Sequence, residues 1–93
     1  MNRTEHLLTI FAEECLESAH RATKALRFGL EEVETGQLLT NRERMYQEFM
    51  EAITVLEMIP PEEFFTLDVY AMRAKRAKVE KYLAYSKELG TCT

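Results

Sequence analysis

Turn-forming residues are scarce in this chain: three glycines and two prolines in 93 residues. That leaves little of the chemistry that short strands and hairpins need, and no segment alternates as a strand would. The expected class is all-α. Cysteine is equally sparse. Cys15 and Cys92 stand far apart and form no C-x-x-C pair, which excludes a cysteine metal site or a disulfide scaffold. Both fit a reducing, cytoplasmic setting, and Cys15 is expected to be a small buried residue of the first helix. No apolar run approaches the roughly 18 residues that cross a membrane. The N-terminal MNRTEHLL does not have the form of a secretory signal. The length suits one domain, residues 1–93, with a core thin enough that self-association is expected.

Positive charge is what the first two thirds lack. Residues 1–68 hold fourteen acids and six bases, whereas residues 69–93 hold six bases and two acids. An acidic chain of net charge −4 is a poor nucleic-acid binder. Clustered acids suit a cation site better.

Three helices are expected. The first runs from about Thr4 to Phe28, with Gly29 as its C-cap. A polar connector, LEEVETGQLL, follows. Thr40 and Glu43 form a capping box for a second helix that ends near Met58, before Pro60-Pro61. A short turn or helix is expected over EEFFTL. Asp68 then caps a last helix from Val69 to about Leu89, closed by Gly90.

The acids of the first two helices are not placed at random. With a helix advancing about 100° per residue, Leu7, Phe11, Cys15, Ala22, Ala25 and Leu26 form one apolar arc, extended by Ile10 and Phe28. Glu14 falls inside that arc and Glu17 at its edge, while Glu13 and His20 lie further round. On the second helix Glu48 lies within the stripe of Met45, Phe49, Ala52, Ile53, Val55, Leu56 and Ile59, and Glu51 flanks it. Each helix therefore offers an i, i+3 pair of carboxylates on one face. Inward acids need a partner or a proton, and a hard divalent cation such as Mg²⁺ is the natural partner for clustered oxygens. The competing reading is a solvated rim, in which Glu17 pairs with Arg21.

The order E-E-C-L-E (residues 13–17), then E-F-M-E (residues 48–51) on a second helix, resembles the MazG-like nucleoside triphosphate pyrophosphohydrolases of the all-α NTP pyrophosphatase superfamily. The phrase from Ser18 to Gly29, with K-A-L-R-F-G, is similar to short single-domain members, some phage-encoded. The resemblance covers about residues 5–59, and the last third carries no motif. It implies an antiparallel helical bundle completed by oligomerisation, as a homodimer or homotetramer. It implies Mg²⁺, with Mn²⁺ as a substitute, held by Glu14, Glu17, Glu48 and Glu51. Hydrolysis between the α- and β-phosphates would give a nucleoside monophosphate and pyrophosphate, in the cytoplasm or in a phage host's cytoplasm. Glu13 or Glu17 would be the catalytic base. Arg21, Lys24 and Arg27 would meet the nucleotide's phosphates. Lys75, Arg76 and Lys78 read foremost as a charged outer face. One departure stands out: the family's second motif usually ends in Asp where this chain has Glu51. Two alternatives follow, a non-catalytic nucleotide-binding or interaction module that keeps the fold, and a phosphoribosyl-ATP pyrophosphatase-like enzyme, which no residue here favours.

Overall fold

Chain geometry starts with three well-capped helices. In the computed structural model, which describes residues 1–63 and 67–93, α1 spans Arg3–Phe28, α2 Asn41–Glu57 and α3 Val69–Leu89. There is no strand among the described residues. The Asn2 side chain accepts from the Glu5 amide at the start of α1. Thr40 and Glu43 close the expected capping box, and the Asp68 side chain accepts from the Tyr70 and Ala71 amides. Gly90 ends α3 in the left-handed conformation, φ 79°, where a side chain would be strained. The short turn or helix expected over EEFFTL falls on residues 64–66, outside the described residues.

α1 and α2 pack as an antiparallel hairpin. Both ends are tied. At one end the buried Asn41 donates through Nδ2 to the Gly29 carbonyl (2.9 Å) and to Glu32 Oε1 (3.2 Å), while its amide donates to the Glu32 carbonyl (2.9 Å). At the other end Arg3 donates to the Met58 carbonyl over 3.1 Å, and Thr4 donates to Glu63. Two ion pairs, Arg42–Glu31 and Arg44–Glu34, fasten the connector to the first turn of α2.

The shared core is small. Leu7 and Ala25 of α1, Ala52 of α2 and Ile59 beyond it are the buried apolar residues. α2 covers only a narrow stripe of α1 that runs Leu7, Phe11, Glu14, Ser18, Arg21 and Ala25. The arc expected from periodicity was wider. Cys15, Ala22 and Leu26, expected inside, are exposed, because one neighbouring helix covers about a third of another's circumference. α3 packs against neither α1 nor α2 and buries no residue. The radius of gyration is 16.7 Å, against about 12 Å for a compact chain of this length.

Candidate metal centre

Halfway along the hairpin the inward stripe turns polar. Glu14 and Glu17 stand on adjacent turns of α1, and Glu48 faces them from α2. One carboxylate oxygen from each of these three residues lies within 4.8 Å of the others. Glu14 and Glu48 are half-buried and Glu17 is exposed, so the cluster opens to solvent on the Glu17 side.

Pairing runs across the helices rather than along them. Glu48 lies against Glu17, and Glu14 against Glu51. Burial comes first in lifting Glu48, and the Glu17 carboxyl beside it second; together they push Glu48 up to about 7 from an ordinary 4.5. Glu14 is raised as well, first by burial, then by Glu51, with Glu17 and Glu13 adding to it. Two buried polar atoms here have no hydrogen-bond partner, Glu14 Oε2 and Ser18 Oγ. A half-buried carboxylate oxygen without a donor, beside two more carboxylates, is the electrostatic setting that a cation relieves. The donors are all oxygens, which suits a hard divalent ion.

The expected site residues separate into those the fold brings together and those it does not. Glu14, Glu17 and Glu48 meet. Glu51 is exposed, next to Glu14, and accepts a 3.5 Å bond from Gln47. Glu13 is exposed and lies outside the three-carboxylate cluster. Arg21 shares a groove with Leu16, Glu17, His20 and Glu48. Lys24 is further along α1, in a cavity of about 400 Å³ with Phe28, Glu34 and Asn41 among its lining. The Lys24 ammonium and Arg27 guanidinium both sit over the Phe28 ring, 5.5 and 4.9 Å from its centre.

Sequence reasoning missed three participants. Arg44 bonds Glu34 at 2.7 Å and holds its carboxyl below the usual range, with Lys24 and Arg21 adding to the effect. Asn41 is the most buried polar residue and lines the same cavity as Lys24. Ser18 sits one turn from Glu14 on the same face. A polar residue directly after the Thr40 cap was the only hint of Asn41, and a serine at i+4 from Glu14 the only hint of Ser18.

No family model, curated protein or solved structure matches this chain.

Proposed function

We propose that this chain is a Mg²⁺-dependent hydrolase of nucleoside triphosphates that cleaves between the α- and β-phosphates, giving a nucleoside monophosphate and pyrophosphate. The observation that carries the reading is the cluster of Glu14, Glu17 and Glu48, three carboxylates from two helices with oxygens within 4.8 Å of one another. The unpartnered Glu14 Oε2 supports a cation there. A bound Mg²⁺ would polarise phosphoryl oxygens and acidify a water.

The roles of the chain's own residues follow from position. Glu14 and Glu48, half-buried, hold the ion's inner side. Glu51, beside Glu14, completes the acidic rim. Glu17 is the solvent-facing member of the cluster, and is the carboxylate best placed to accept a proton from an attacking water. Glu13, outside the cluster, is the second choice. Arg21, in the groove beside Glu17 and Glu48, binds and orients the phosphate next to the cluster. Lys24 and Arg27 meet the remaining phosphates, and Phe28 between them offers a ring against which a base can stack.

A second reading is a nucleotide-binding module without turnover. It is favoured by Glu51, which stands where the resembling family has Asp and lies outside the three-carboxylate cluster. One experiment separates the two. Pyrophosphate release is measured from a panel of nucleoside triphosphates, with and without Mg²⁺, for wild type and Glu14→Gln. Metal-dependent release that the variant loses supports the enzyme. Mg²⁺-dependent nucleotide binding without release supports the module, and neither response sinks both.

A further inference from the structure

A second stripe runs along α1 beside the one that faces α2. Leu8, Ala12, Cys15, Ala19, Ala22 and Leu26 follow each other at spacings of four and three residues and are all exposed. Leu26 is 88% exposed although it is one of the largest apolar side chains of α1. The spacing is that of a helix–helix seam, and it extends about 27 Å without a charge. On the helical wheel it lies opposite Glu17, so covering it leaves the carboxylate cluster open.

The seam reads the same in both directions. Turning α1 end over end about a point near residue 17 places Leu8 against Leu26, Ala12 against Ala22, and Cys15 against Ala19. A surface that matches its own reverse is what a two-fold interface requires. The small residues at its centre let two backbones approach closely, and the leucines close each end.

Charge selects the same orientation. Residues 3–17 of α1 carry four carboxylates and one guanidinium, whereas residues 18–28 carry three cations and no acid. Side by side in the same direction, two copies would set acid against acid. Head to tail, the acidic half of each lies beside the basic half of the other, and Glu5 comes within about one turn of the partner's Arg27 on the same flank.

We infer that this chain forms a two-fold dimer through α1, antiparallel to the partner's α1, with Leu8 packed against the partner's Leu26 and Cys15 against the partner's Ala19. The inference rests on the expectation of self-association and on no part of the phosphate chemistry proposed above. Two hairpins joined this way make a four-helix layer, with the carboxylate clusters on its outer flanks.

Disulfide trapping in the full chain tests the register. The background is Cys15→Ala with Cys92→Ser, and helix content is checked by circular dichroism. Leu8→Cys and Leu26→Cys are made separately, then mixed and oxidised. The expected product is a covalent dimer with one chain of each variant, while neither variant alone cross-links, since like positions lie about 27 Å apart. Light scattering on wild type should give twice the 10.9 kDa chain mass, and Ala19→Glu should return it to the single-chain mass with helix content unchanged. Self-linking of Leu8→Cys would mean a parallel pair. A monomeric wild type, or a dimer in which the mixed cysteines do not link because α3 or another surface occupies the seam, would overturn the inference.

Discussion

Glu48 of α2 lies against Glu17 of α1, and burial together with that neighbour lifts the Glu48 carboxyl to about 7. The hairpin thus carries a proton near neutrality that an isolated glutamate would not.

The pH dependence of the metal-free fold follows from that shift. Because Glu48 holds its proton more tightly in the fold than at its ordinary 4.5, its stabilising contribution is fully present below about 4.5 and is lost as pH rises through about 7. Glu34, lowered by Arg44, contributes stability that is present above 4.5 and lost at more acid pH, so the two effects occupy different windows. Chemical denaturation in the presence of a chelator at several pH values should show stability falling between pH 5 and 8.

Replacing Glu48 with Gln removes the group that is forced to ionise. In chelator at pH 8 the variant should melt about 4–8 °C higher than wild type, the change that about 1 kcal/mol makes in a domain of this size. Differential scanning calorimetry reads it. An unchanged or lower midpoint would place Glu48 on a solvated rim.

Mg²⁺ should reverse that order. The ion favours ionised carboxylates, so binding to wild type at pH 7 releases protons and tightens as pH rises. Titration calorimetry in two buffers of different ionisation heat gives the proton count. Glu14→Gln and Glu48→Gln should each weaken binding at least tenfold, and Mn²⁺ should substitute for Mg²⁺.

Glu17→Gln and Glu13→Gln separate the two carboxylates of the first motif. Loss of a proton acceptor costs about 10²–10⁴-fold in rate. That loss in kcat is expected for Glu17→Gln, with Glu13→Gln within a few-fold of wild type. The reverse ranking in a pyrophosphate-release assay would move the base to Glu13.

Asn41→Ala should cost about 1–3 kcal/mol in a urea melt, because the Gly29 carbonyl loses its donor at a buried position. Thr40→Ala, which removes one half of the capping box, should cost about 1 kcal/mol.

Helix ends were legible because they are written in local chemistry. Thr40 with Glu43, Asp68 and Gly90 each act on backbone groups within a few residues, so the sequence alone places them. The inward turn of Glu14 and Glu48 was legible too, since it follows from helical period. What periodicity lacks is the width of the neighbour. It put Cys15, Ala22 and Leu26 inside because they are apolar, but α2 covers the adjoining stripe and leaves them exposed. Cross-helix partners were out of reach for the same reason. Glu17 with Glu48, Glu14 with Glu51, and Asn41 with Gly29 depend on how two helices are set side by side, which no single helix encodes.

The hairpin is clasped at both ends, by Asn41 on the Gly29 carbonyl and by Arg3 on the Met58 carbonyl. Its acids therefore sit in a jaw of fixed gape. Mutual repulsion cannot spread the helices without breaking one clasp or the other. The gap between Glu14 and Glu48 then acts as a gauge for ionic radius. An ion with oxygens at about 2.1 Å meets a different jaw from one that prefers about 2.4 Å. Loosening a clasp with Arg3→Ala, far from any carboxylate, would relax that gauge and let larger ions compete.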